Sequence, residues 1–336
     1  MGVEADSRTL AVWALLAALL ASGCGDDEDP KPTRTSDGGA PTGGWLAAVG
    51  ANGTLAATFD DVRWSVRSIA NRDLRSVACV GNELGWVAGA QGFVLHTEDG
   101  GANWLAMPTG LSADLEAVAF ARDPASGSIV GVVAGAAGAL AVTHDAGQNF
   151  SSAPNLTSHD LHDAALAEEI RLAIVVGGAG VVLRSSHGLA SFQAVAVDTS
   201  ADLEGVAIDS AGLLVLVVDS VGRVFASTNA GTSFELEHDT GVPLRSVALS
   251  HAGTWALAVG DGGQAFVREP VGRWSTLATG TKQNLAAALV SHDESRFYAA
   301  GASGTLLRSP NFGATWSPVA IQTSENLYAL EDLDPH

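Results

Sequence analysis

Two cysteines in 336 residues, Cys24 and Cys79, are too few for a disulfide framework. Charged residues make up only 16% of the chain, and 17 basic side chains face 37 acidic ones for a net charge of −20. That balance argues against nucleic acid and anionic lipid headgroups as electrostatic partners. No phosphate-cradling glycine loop, dinucleotide fingerprint, Ser-His-Asp spacing or Cys-x-x-Cys pair is present, so cofactor chemistry has no residues to support it. The apolar run over residues 11–23 is too short to cross a bilayer comfortably, and the apolar segments further on lack helical periodicity.

What the chain has is glycine, 39 residues of it, and seven of these recur in step: Gly53, Gly92, Gly138, Gly180, Gly222, Gly263 and Gly304. Each follows an apolar run, opens a second one, and precedes an aromatic residue by 11 or 12 positions: Trp64, Trp104, Phe150, Phe192, Phe234, Trp274 and Trp316. A unit of about 42 residues with short apolar runs and tight turns predicts four strands, one blade of a β-propeller.

A further strand opening with leucine precedes each unit from the second onward, at Leu74, Leu115, Leu161, Leu203, Leu244 and Leu285, and a seventh, Leu327, stands at the end. The first unit, starting at Gly44-Trp45, has no such strand before it, and the last leucine strand has no unit after it. The expected architecture is therefore an all-β, seven-bladed propeller over residues 44–331, closed by the C-terminal strand completing the first blade, with residues 332–336 as a tail. Closure in this way leaves no unpaired sheet edge.

Ahead of the repeats, Leu20-Ala21-Ser22-Gly23-Cys24 resembles the cleavage and lipidation site of a bacterial lipoprotein signal peptide. This resemblance implies removal of residues 1–23, lipidation at Cys24 and a place in the bacterial cell envelope, facing the periplasm or the cell surface. Residues 24–43, with Asp26-Asp27-Glu28-Asp29 and several Pro and Gly, have the composition of a solvated tether. Two acyl chains on one cysteine make stable anchoring, at about 0.8 kcal/mol per buried CH₂. Cys79, in an apolar strand, reads as a small core residue.

Segments such as Thr97-Glu98-Asp99-Gly100-Gly101-Ala102-Asn103-Trp104 resemble the Asp-box or BNR repeat. The physical reading is a hairpin in which Asp99, Asp145, Asn229 and Asn311 accept bonds from their own turn, Gly takes a positive φ and the aromatic anchors the return strand. The fourth unit has His187 and Leu189 where the acid and the glycine would stand. The longer pattern from Gly85 to Trp104, repeated at Trp255 to Trp274 and Phe297 to Trp316, is similar to the photosystem II stability and assembly factor family. That resemblance implies a non-enzymatic propeller binding protein partners in assembling membrane complexes. Photosynthetic members resemble one another in an arginine-rich patch, for which Arg63, Arg67, Arg72 and Arg75 are the nearest counterpart here.

Asp-boxes also occur in glycan-cleaving propellers, so a glycan-binding or glycan-hydrolysing protein is the alternative. Against it, the chain has two tyrosines, no Arg-Ile-Pro signature and only short loops from which to build a cleft holding two carboxylates roughly 5–10 Å apart. The residues that vary while their neighbours repeat lie around the seven leucines: Asp73, Asp114, Asp160, Asp202, Pro243, Asn284 and Asn326 before them, and Arg75, Glu116, His162, Glu204, Arg245, Ala286 and Tyr328 after them. Propeller geometry places these around one mouth of the central channel. Two readings stand: Asp and Asn shape the turn into the strand, or the acidic sector Asp114, Glu116, Asp160, His162, Asp202 and Glu204 binds a basic partner segment or a cation, for which so many oxygens suit Ca²⁺ better than Zn²⁺.

Overall fold

A computed structural model describes residues 46–332 except 155, 168–171 and 187. The chain divides into two units, Met1–Gly39 and Ala40–His336, and every described residue belongs to the second. The signal peptide, Cys24, the tether over residues 24–43 and the tail beyond Asp332 lie outside the described residues. Among the described residues, no helix is long and apolar enough to cross a membrane.

The described residues form seven four-stranded antiparallel sheets. Their innermost strands are Leu74–Val80, Leu115–Arg122, Leu161–Ala167, Leu203–Ile208, Leu244–Leu249, Leu285–Val290 and Leu327–Asp332. These contact one another in sequence round a closed cycle. The last of them completes blade 1: Leu327–Asp332 pairs antiparallel with Leu46–Gly50, followed outward by Thr54–Thr58 and Ser65–Ser68. The offset in the leucine count is thus resolved by pairing the two ends of the ring, which buries both strands' backbone groups in one ladder.

The periodic glycines are explained by two constraints acting together. All seven repeat glycines have positive φ, from 66° at Gly304 to 106° at Gly222. A Cβ added at Gly180 would overlap the carbonyl oxygen of Thr199, in the segment that leads to the next blade, and Gly53 meets Ala70 in the same way. Only glycine satisfies both the left-handed backbone and the close approach. Leu189 shows the cost of departing from this pattern in the Asp-box: it has φ of 68° and keeps that conformation with its side chain in the core between blades 3 and 4, 4% exposed.

Seven apolar clusters fill the seven junctions between blades, the closing one formed by Leu46, Ala48, Tyr298, Leu306, Leu327 and Leu330 among others. The seven periodic leucines are fully buried there. Each contributes about 2 kcal/mol by area, so the leucine layer is a main source of ring stability.

Candidate functional site

The innermost strands enclose a central channel of about 690 Å³. Every one of them begins with a β-bulge immediately after its leucine: Leu74 pairs with Gly89 and Ser76 with Ala88, so Arg75 is the extra residue, and the other six strands repeat the shift. A bulge re-aims the side chain it displaces. Arg75, Glu116, His162, Glu204, Arg245, Ala286 and Tyr328 accordingly line the channel, as the sequence pattern places them.

Around this mouth the charges pair. Arg245 contacts Glu204 at 3.3 Å and makes a two-pronged contact with Asp261 at 3.1 and 3.0 Å. Arg75 lies 3.2 Å from Asp73 and 3.9 Å from Glu116, with its guanidinium 4.7 Å above the Tyr328 ring. Burial pushes the Glu204 carboxyl upward against the opposing pull of Arg245, while hydrogen bonding to Asp261 raises Arg245 further. His162 Nδ1 lies 3.1 Å from the Leu203 carbonyl. Among the described residues, no three His, Cys, Asp or Glu side chains converge as metal ligands.

The acids preceding the leucines have a defined structural use. Asp114 Oδ1 accepts a bond from the Gln91 amide, Asp160 from Ala137 and Asp202 from Ala179, at 2.7 to 2.9 Å. Asp73, Asn284 and Asn326 do the same for Asn52, Gly262 and Ser303. Each donor is the central residue of the tight turn in the preceding blade, held at positive φ. Six of seven junctions are therefore latched by one side-chain oxygen, and Asn326 latches the closing one. The seventh residue, Pro243, cannot accept such a bond. There Asp219 replaces the glycine that ends the second strand in every other blade, is fully buried, and accepts from Val221, the equivalent turn amide, at 3.2 Å and from Arg223 at 2.8 Å. The proline and the aspartate are two halves of one substitution.

The Asp-boxes are self-contained hairpins. Asp99 Oδ1 accepts from the Asn103 amide at 2.8 Å and Oδ2 from the Asn103 side chain at 2.7 Å; Asp145 and Asn149 repeat this. Burial pushes both carboxyls up, but these bonds outweigh it and hold them below the ordinary carboxylate range. Asn229 and Asn311 accept from Ser233 and Thr315 at 3.0 and 2.9 Å. A buried hydroxyl two residues earlier, on Thr97, Thr143, Ser227 or Ser309, accepts from the box glycine amide at 2.9 Å in each, a role for which the sequence offered only the recurring Ser or Thr.

The four arginines of the first two blades do not form one patch. Arg67 reaches the Ala102 carbonyl in the next blade's box, Arg72 lies over Phe93, Arg75 enters the channel and Arg63 is exposed. Sequence reasoning also missed residues one position beyond the bulge. Ser76, Asp163 and Ser246 accept the amides of Val118, Val206 and Ala288, linking blades 2 to 3, 4 to 5 and 6 to 7. Burial raises Asp163 to about 6 despite its two amide bonds. Arg308 bridges the closing junction, contacting Asp61 at 2.8 Å.

This geometry has known counterparts. One solved structure, described as YCF48 bound to D1 peptide, superimposes with a TM-score of 0.59 at 18% identity over 82% of this chain and 83% of that one. YCF48 from Cyanidioschyzon merolae gives 0.60 at 17% identity over 76% and 88%. A GH74 xyloglucanase from Xanthomonas campestris gives 0.62 at 16% identity over 82% of this chain but 46% of that one. At these identities the likeness shows the fold alone. No curated protein matches the sequence. The family model for photosynthesis system II assembly factor YCF48, however, matches residues 37–335. With its seven blades, six latched junctions and Asp-box turns, the chain belongs to the photosynthesis system II assembly factor YCF48 family.

Proposed function

We propose that this protein is a non-enzymatic, protein-binding propeller that scaffolds assembly of a membrane or envelope complex, anchored through a lipid on Cys24. The observation that carries the reading is the ring of seven bulges, which turns the variable polar side chains of otherwise repetitive strands toward one mouth of the channel. Acids outnumber arginines there: Asp73, Asp114, Glu116, Asp160, Asp202, Glu204 and Asp261 stand against Arg75 and Arg245. A basic partner segment complements that field better than an acidic one. Family membership supports an assembly role, and the peptide-bound state of one YCF48 structure supports a peptide-like partner.

The partners already held by two channel acids and by the box acids weigh against glycan cleavage. Glu116 and Glu204 face arginines, and the box acids bind their own amides. The xyloglucanase likeness keeps glycan binding as the second reading. Purification of the native protein in mild detergent, followed by mass spectrometry of what stays bound in stoichiometric amount, separates them. A membrane-complex subunit supports the scaffold; bound oligosaccharide without protein overturns it. Intact mass of the mature chain tests the anchor: a diacylated N-terminal Cys24 is expected, and an unmodified Cys24 refutes it.

A further inference from the structure

Below the mouth, the channel wall is small. Counting four residues on from each periodic leucine, the wall carries Ala78, Ala119, Ala165, Ala207 and Ala248, then Leu289, and on the closing strand Glu331. Glu331 is half-buried, lines the channel and sits on the strand that pairs with Leu46–Gly50. Every other acid of the lining has a partner: Glu116 has Arg75, Glu204 has Arg245 and Asp163 has the Ala164 and Val206 amides. Among the described residues, the Glu331 side chain makes no hydrogen bond and no ion pair, its backbone pairing with Ala47 in the ladder. Its ionisable neighbours are Asp332, whose carboxylate takes the His292 amide, Asp163 in the channel wall and Cys79 at the blade 1–2 junction.

A carboxyl group facing a cavity of about 690 Å³ with no cation of its own, among alanines, ionises there at little cost only when a cation pairs with it. The volume lies in the range of small-ligand sites, and three strand residues separate Glu331 from the mouth, about 10 Å. We propose that the channel receives an alkylammonium group, its ammonium on Glu331 and its methylene stem along the alanine wall. A lysine side chain of the bound partner and a free aliphatic amine share this chemistry; the former rests on the protein-binding reading above, the latter does not. Alanine at five of the seven positions leaves the stem room and apolar contact, as lysine stems require.

Glu331 is raised to about 8 by burial, with Asp332 and Asp163 adding to the shift, so at pH 7 the empty channel holds it protonated. An ammonium binds the carboxylate, so loading the site transfers that proton to the buffer.

The test uses the full chain in mild detergent with n-butylammonium as probe and n-butanol as the uncharged control. Saturable calorimetric binding of the amine at pH 7 is expected, with close to one proton released per site, read from the dependence on buffer ionisation enthalpy and vanishing near pH 9.5. Glu331→Gln should weaken binding at least about tenfold and abolish the proton release. Glu331→Ala, which installs the residue found in five other blades, should do the same and serves if the glutamine variant folds poorly. Equal binding of butanol, no binding to wild type, or unchanged proton release in both variants overturns the proposal. Binding of an acetyl-lysine-amide peptide with loss of the co-purifying partner in Glu331→Gln identifies a partner lysine; binding of butylammonium with the partner retained identifies a free amine. A partner retained by wild type that binds no amine leaves the scaffold standing and removes this inference alone.

Discussion

Six blades end their second strand in glycine and the fifth ends it in Asp219, so a consensus argument would replace Asp219 with glycine to stabilise the ring. The structure predicts the opposite. Asp219 is 0% exposed, holds the Val221 and Arg223 amides, and receives the Arg223 guanidinium at 2.7 Å. Its neighbour across the junction, Pro243, has no side-chain oxygen to take over. The turn is also wound differently: Gly222 has φ of 106°, against 66° to 76° at the other six repeat glycines.

Asp219→Gly removes the side-chain oxygen that accepts two backbone amides, each bond worth about 1 kcal/mol net, and one member of a buried ion pair, for which about 3–5 kcal/mol is usual. Arg223 is 27% exposed in its side chain and can turn to water, which lowers the second figure. A net loss of about 3 kcal/mol is expected, corresponding to roughly 5 °C in Tm for a domain of this size. Asp219→Asn, which keeps an acceptor for the amides, should lose about half as much. Adding Pro243→Asn to Asp219→Gly restores the oxygen that latches the other junctions and should recover about 1 kcal/mol. Thermal and urea unfolding of the four proteins measures these differences, and amide hydrogen exchange at Val221 and Arg223 locates them. If Asp219→Gly is as stable as the parent, or if Pro243→Asn rescues nothing, the latch reasoning is wrong.

Gly180→Ala combines positive φ with overlap onto the Thr199 carbonyl, whereas Gly241 has φ of 68° and open space around its Cα; denaturation should show a loss above about 2 kcal/mol for the first and about 1 kcal/mol for Gly241→Ala. Thr143→Val in the third box leaves the Gly147 and Asp145 amides without their buried hydroxyl and should cost about 1–2 kcal/mol, while Asp145→Asn, the residue type already used at Asn229 and Asn311, should cost less than half of that. Asp163 and Glu331 are raised to about 6 and about 8 from 3.8 and 4.5, so the stability tied to them is fully present below about pH 4 and is lost as pH rises to about 8. At 1.36 kcal/mol per pH unit the two shifts together correspond to at most about 8 kcal/mol, and a Tm profile of Glu331→Gln should be flatter than wild type between pH 5 and about 8; parallel profiles would refute the assignment.

The blade count, the closing strand and the placing of Arg75, Glu116, His162, Glu204, Arg245 and Tyr328 around one channel mouth were legible in the sequence, because they depend on period and on a fixed position beside each repeating leucine. The use of Asp114, Asp160 and Asp202 was not. Each bonds an amide 23 residues earlier in the neighbouring blade, a distance set by how sheets pack rather than by anything local. The Asx residues therefore read as turn formers or as ligands until the blades were brought together. The boxes lie between these cases: Asp99 and Asp145 bind within their own hairpin and were readable, while the hydroxyls of Thr97 and Thr143 show their role only through burial.

Sequence alone determined that this protein is a closed ring of seven blades, since positive-φ glycines and buried leucines recurring every 42 or so residues admit few other packings. Tertiary structure decided what the ring presents. Bulges turned one residue per strand into the channel, a proline in blade 6 was balanced by an aspartate in blade 5, and Glu331 came to face a wall of alanines without a counter-charge. Those outcomes depend on distances between blades, and a linear pattern carries no record of such distances.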